Sequence, residues 1–146
     1  MRLALGYKKL AAFSLIELLI VLAIIGILFG AATPWYGNFI SQTKFSQVIT
    51  AAIPLKTAME LAVEVGGVTD INELDGGKYG IDTNILDHQH QYVGKIELRN
   101  GTLTIYNQNM PKDVTYKLVA KTIEQHQIVW SNRQADQGSC VSLGWC

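Results

Sequence analysis

Charge is missing from most of the first third of this sequence, and proline is scarce throughout. No Asp, Glu, Lys or Arg occurs between Glu17 and Lys44, and only three prolines interrupt 146 residues. The 12 basic and 12 acidic residues cancel, which removes the bulk attraction expected of a nucleic-acid binder. Lys95, Arg99, Lys117 and Lys121 are the candidates for a basic sheet face, but acids are interspersed among them. A catalytic constellation is also lacking. Cys and His form no nucleophile–base arrangement, no glycine-rich phosphate loop follows a strand, and no acid pair is placed on a helix face. The chain therefore reads as non-enzymatic. Asp70, Asp75, Asp82 and Asp87 invite a calcium hypothesis, but the EF-hand spacing fails, because after Asp70 and Asn72 the next ligand position is Leu74. His88 and His90 lack a third ligand of clear spacing, so neither metal nor cofactor is expected.

What the sequence does have is apolar. Hydrophobic residues make up 49%, and a large share lies in the first third. From Leu18 to Ala32 the chain is apolar without a break, and Phe13 to Ala32 has the length a helix needs to cross a hydrocarbon core of ~30 Å. Arg2, Lys8 and Lys9 precede this run and no acid does, which predicts a cytoplasmic N-terminus and a C-terminus outside. A secretory signal peptide with Gly30 and Ala32 near its cut, or a plain anchor, would share these features. Neither gives Glu17 a purpose. A carboxylate near a span's centre costs roughly 2.5–3.5 kcal/mol on insertion scales, less near its end, and such residues are usually functional.

The stretch "FSLIELLIVLAIIGIL" (Phe13 to Leu28) closely resembles the N-terminus of type IV pilins and the related pseudopilins. The resemblance implies cleavage by a prepilin peptidase between Ala12 and Phe13, on the cytoplasmic side, followed by N-methylation of Phe13. Ala12 departs from the glycine that the family nearly always carries there. The released amine is positively charged near neutral pH, and in a packed fibre it would pair with Glu17 of a neighbouring subunit. An unpaired charge in such surroundings is expensive and a paired one much less so, so Glu17 would penalise every wrong stacking offset. Pro34 and Pro54 match the two helix-kinking prolines of the type IVa group. Trp35 and Tyr36 suit a membrane–water boundary, and Gly26 and Gly30 form a small-residue face.

Beyond the span, Phe45, Val48, Ile49, Ala52, Ile53, Met59, Ala62 and Val63 recur at helical spacing. A single helix from Phe13 to Val65, capped by Gly66-Gly67, would be about 80 Å long at 1.5 Å per residue. Val68 to Gln91 reads as a long surface loop. "YVGKIELRNGTLTIYNQ" (Tyr92 to Gln108) flanks Asn100-Gly101, the strongest short hairpin signal, which explains that dipeptide better than a glycosylation sequon does. "VTYKLVAK" (Val114 to Lys121) and "HQIVW" (His126 to Trp130) supply two more strands. Ile96, Leu98, Leu103, Ile105, Tyr116, Leu118, Ile128 and Trp130 should face the helix. The expected class is α+β, a long helix on an antiparallel meander of about four strands. By the resemblance, Cys140 and Cys146 form a C-terminal disulfide that staples the tail to itself and leaves Ser131 to Ser139 as an exposed variable segment.

The organisation implied is a leader at 1–12, a transmembrane and assembly helix at 13–38, and a globular head at 39–146. The function implied is that of a structural subunit of a type IVa pilus, a major one, serving adhesion, twitching motility or DNA uptake. Its partners would be further pilin subunits, the prepilin peptidase, the inner membrane and the assembly machinery. The precursor would sit in the inner membrane with its head in the periplasm before joining an extracellular fibre. Two rivals are a type II secretion pseudopilin and a membrane-anchored binding or DNA-uptake receptor. The disulfide and the lack of a recognisable calcium loop favour the pilin.

Overall fold

The computed structural model describes residues 13–84 and 90–146, and of Pro34 and Trp35 the backbone only. The expectations for Ala12, Asp87 and His88, and for the side chain of Trp35, lie outside the described residues. Packing divides the chain into two units, Met1–Asn38 and Phe39–Cys146.

The helix α1 occupies Leu15–Glu64, slightly shorter at both ends than expected. Both Pro34 and Pro54 fall inside it, and the helical assignment runs through each. Each proline removes one backbone donor. Nearby threonines add side-chain bonds to backbone carbonyls: Thr33 Oγ1 donates to Phe29 O at 2.7 Å, and Thr50 Oγ1 to Ser46 O at 2.8 Å. At the other end Gly67, with φ of +73°, supplies the left-handed turn that stops the helix, and the Val68 N–H bonds back to Ala62 O at 3.3 Å.

In the second unit four strands follow, β1 (Val93–Arg99), β2 (Thr102–Asn107), β3 (Thr115–Glu124) and β4 (Gln127–Trp130). They form one antiparallel meander in chain order, as the sequence implied. Asn100 and Gly101 both take positive φ, 46° and 69°, the geometry of a two-residue type I′ turn, and they set Arg99 opposite Thr102. The core of this unit joins Phe45, Val48, Ala51, Ala52, Leu55, Met59, Ala62 and Val63 of α1 to Leu98, Leu103, Ile105 and Ile128 of the sheet. Ile96, Tyr116, Leu118 and Trp130 reach the same core half-buried.

Three expectations need correction. Ile53 is 60% exposed, because with Thr57 and Leu61 at i+4 steps it lies on the face opposite the sheet; Leu55 is buried instead. The segment after α1 is not simply a surface loop: Val68, Leu74 and Ile81 are buried in the core, around a short 3₁₀ turn at Ile71–Glu73. Its path is held to the first hairpin by Gly76 N–H to Leu98 O and Gly101 N–H to Leu74 O, both 3.0 Å. Finally, the disulfide does not staple the tail only to itself. Lys117 N–H donates to Gln137 O at 2.9 Å, Cys140 N–H to Thr115 O at 3.2 Å, and Thr115 N–H to Ser139 Oγ at 2.9 Å. The tail thus satisfies the half of β3 that β4, a four-residue strand, cannot reach. Of Ser131 to Ser139, the part that stays fully exposed without a break is Asn132 to Ala135.

Candidate assembly interface

The first unit carries the residues that the sequence singled out for assembly. Its helix begins with Ser14 as the residue before the first turn and Glu17 as the third residue within it. The Ser14 N–H donates to Glu17 Oε2 at 3.0 Å, and Leu18 N–H reaches Ser14 O at 3.3 Å. This is one arm of a capping box, in which an acid three residues inside the helix turns back to the backbone donor at its start. Phe13 precedes it, 84% exposed. Glu17 is therefore engaged locally, and the S-x-x-E spacing that signals it stands in the sequence.

From Leu18 to Ala32 the helix is apolar on every face, and none of Leu15–Thr33 is buried. Leu18, Ile20, Leu22, Ile25 and Leu28 are all more than half exposed. At about 25 cal/mol per Å² of apolar surface, exposure on this scale in water is strongly unfavourable, so the segment demands lipid or other helices around it. By length and composition it can cross a membrane. A Cβ added at Gly26 or Gly30 would meet no atom within 4 Å, so these positions offer close approach to an outside partner rather than serving contacts within the chain. Phe29, Ala32, Thr33, Tyr36 and Gly37 line an apolar groove beside Pro34.

In the second unit Pro54 is exposed, beside the uncovered Ile53. Cys140 and Cys146 are bonded. Between them Trp145 is nearly buried and tilts against Phe45, ring centroids 5.6 Å apart, while Gln42 Nε2 donates to Gly144 O at 3.4 Å. Further along α1, Glu60 Oε1 accepts from Trp130 Nε1 at 3.0 Å, with Lys56 Nζ 3.8 Å from the same oxygen and 5.5 Å from the indole centroid.

Among the described residues, Asp70, Asp75 and Asp82 have partners other than a metal. Asp70 Oδ1 accepts from Asn72 N–H at 2.9 Å, and Asp82 Oδ1 from Asn84 N–H at 2.8 Å. Asp75 binds Lys78 at 2.8 Å and the Asn100 N–H at 3.0 Å; the Lys78 hydrogen bond, then that of Asn100, holds its carboxyl below the usual range. Leu74, at the failed ligand position, is fully buried. Two of the basic candidates stand beside an acid. Lys95 pairs with Glu97, and Glu97, Thr104 and Lys117 form one cross-strand row. Lys95 donates to Glu97 and holds its carboxyl low.

Residues 7–33 match the prokaryotic N-terminal methylation motif. A fimbrial protein of Moraxella nonliquefaciens is 34% identical over 119 residues, covering 76% of this chain and 73% of that protein. The chain belongs to the type IV pilin family. The pilin is also 32% identical over 101 residues to prepilin peptidase-dependent protein D of Escherichia coli, covering 68% of this chain and 65% of that one. Over 72 residues it is 44% identical to the type IV major fimbrial protein FimA of Dichelobacter nodosus, 44% of this chain and 46% of the relative. The alignments to the last two thus span less than two thirds of those proteins. Membership of a family of structural subunits sets this pilin apart from enzymes.

Proposed function

We propose that this pilin is the building subunit of a type IV pilus fibre. The observation that carries the reading is the stretch Leu15–Thr33, apolar on every face beyond Glu17 and wholly unburied, on a chain whose second unit has a core of its own. Such a segment has two stable surroundings, a bilayer and a bundle of like helices. A fibre subunit needs both in turn. The precursor is held in the inner membrane with its N-terminus cytoplasmic and its head, 39–146, in the periplasm. The prepilin peptidase cuts between Ala12 and Phe13, Phe13 is methylated, and the assembly machinery transfers the helix from lipid to the fibre. There Glu17 faces the Phe13 amine of a neighbouring copy. Exposed Ile53 and Leu61, on the face of α1 turned from the sheet, and Val65 just past its end add apolar contact between copies, and Pro34 and Pro54 give the helix places to adjust. The names of the relatives, among them fimbrial proteins, support this reading.

Intact-mass analysis of membranes and sheared surface fibres tests it. The expected product is a chain of 134 residues (146 minus 12) beginning at methylated Phe13 and present in both fractions. A chain that starts after Ala32 would establish a signal peptide, and full-length protein a simple anchor. Mature protein that never leaves the envelope, in cells that bear other pili, would favour the secretion pseudopilin.

A further inference from the structure

We propose that Asn100 is a self-modifying site, held shut because the loop after α1 and the first hairpin turn shield each other. In an Asn-Gly pair the glycine nitrogen can attack the asparagine Cγ. A new C–N bond closes a succinimide ring, and the displaced amide leaves as ammonia with the proton from that nitrogen. Water then opens the ring at either carbonyl, giving aspartate or isoaspartate. Asp-Gly closes to the same ring with loss of water, and reopening adds the water back. Glycine favours both reactions, because no side chain hinders its nitrogen. The chain has Asn-Gly once, at Asn100-Gly101, and Asp-Gly once, at Asp75-Gly76.

The fold sets these two pairs side by side and ties up both attacking nitrogens. Gly101 N–H donates to Leu74 O and Gly76 N–H to Leu98 O, each at 3.0 Å, and Asn100 N–H donates to Asp75 Oδ1 at 3.0 Å. Each nitrogen is thus held by the backbone of the other segment. Hydrogen bonds from Lys78 and Asn100 keep the Asp75 carboxyl ionised, the form least open to attack. The type I′ turn adds a second bar: its first central residue has ψ of about +30°, which turns the Gly101 nitrogen away from the Asn100 side chain. Asn100 is exposed to water, but Gly101 is buried, and a Cβ on it would lie 3.1 Å from Ile71 Cγ2 and 3.2 Å from Ala120 Cβ. The position that makes the pair labile has no room for a less labile residue.

Once the loop lifts from the turn, Asn100 can convert, and the product does not go back. Deamidation puts a carboxylate beside Asp75, and like charges at short range oppose reclosing. Isoaspartate also adds a methylene to the backbone of the turn, so Gly101 N–H no longer meets Leu74 O in register. A head that has opened here is marked and stays loose at this edge.

Peptide mass spectrometry of the full-length chain, aged at neutral pH in lipid nanodiscs, reads conversion at Asn100 and needs no fibre. Wild type should convert at least about tenfold more slowly when folded than in guanidinium chloride, because only locally opened molecules react. Asp75→Ala removes one charge-assisted bond and should convert about tenfold faster than folded wild type. Lys78→Ala leaves the Asn100 bond in place and should stay within about twofold of wild type. Asn100→Asp carries the charge of the product, and hydrogen exchange at the Gly76 and Gly101 amides should rise severalfold. Equal conversion of wild type folded and unfolded would overturn the shielding. Conversion in Asp75→Ala as slow as in wild type would overturn the part played by the loop, and unchanged exchange in Asn100→Asp would overturn the one-way step.

Discussion

Two stretches of α1, both rich in apolar residues, have opposite fates. From Leu15 to Thr33 nothing is buried, whereas from Phe45 to Val63 the residues Phe45, Val48, Met59 and Val63 are fully so. Hydrophobicity alone does not decide this. In the second stretch the apolar residues return at steps of three, four and seven, and Gln47, Thr50, Thr57 and Glu60 separate them, so a single stripe can be covered by one sheet. In the first stretch every face is apolar, and no single sheet can cover a cylinder. A helix like that is built for an environment that surrounds it.

The contrast breaks most visibly under truncation of large side chains. Phe45→Ala or Met59→Ala should destabilise the second unit by about 2–5 kcal/mol, since both are fully buried in its core. Leu22→Ala should leave the melting of that unit unchanged. Thermal unfolding of the detergent-solubilised chain, followed by Trp145 fluorescence, compares them; equal losses would mean that the first stretch also contributes to the head.

Next in size is the disulfide. In the chain-entropy model so small a ring contributes ~2 kcal/mol, but here it also keeps Trp145 on Phe45 and the tail on β3. Cys140→Ser with Cys146→Ser should therefore lower the melting temperature of the whole second unit. Loosening confined to the last few residues, seen by hydrogen exchange, would show that the tail merely hangs from the sheet.

Smaller effects sharpen the picture at the sheet's turns. The β3–β4 turn places Gln125 and His126 at φ of 50° and 62°, a left-handed pair without glycine. Replacing them by Asn-Gly should stabilise by about 0.5–1 kcal/mol, measured by denaturant midpoint, because that dipeptide adopts the type I′ conformation readily. Least of all is the effect of acid on the loop after α1. The carboxyl of Asp75 titrates below its unfolded value, so its contribution is complete above about pH 4 and fades as pH falls through the lower folded value. Asp75→Asn should remove that dependence from the exchange of the Asn100 amide. A loop equally acid-sensitive in the variant would place the titrating group elsewhere.

Much of this fold could be read in advance because its local signals agree with its packing. Asn100-Gly101 marked the first hairpin, Gly66-Gly67 the end of the helix, and alternation along β1 and β2 the buried face. The failures have separate physical causes. Gln125 and His126 carry no turn signature, because tertiary structure imposes their backbone. Leu74 and Ile81 are isolated apolar residues among turn formers, and single residues have no period to detect. Ile53 satisfies a loose apolar count and fails the angular one. The tail's pairing with β3 depends on where β4 stops, which no local pattern records. At the assembly site the glutamate and the cysteines were legible by type, whereas the bond from the Ser14 N–H to Glu17 Oε2 required geometry.

The contact between Phe45 and Trp145 also bears on timing. One residue is made early in the second unit and the other a hundred positions later. Until Trp145 arrives, Phe45 lacks its aromatic neighbour, and until Gln137 to Cys140 arrive, the first half of β3 has unpaired backbone groups. The head cannot finish folding piecemeal as it emerges; its core closes only once residues 137–145 are present. A subunit cut before Gln137 would keep its apolar helix while its head stayed open, so the contacts of residues 137–145 are a condition for a finished head.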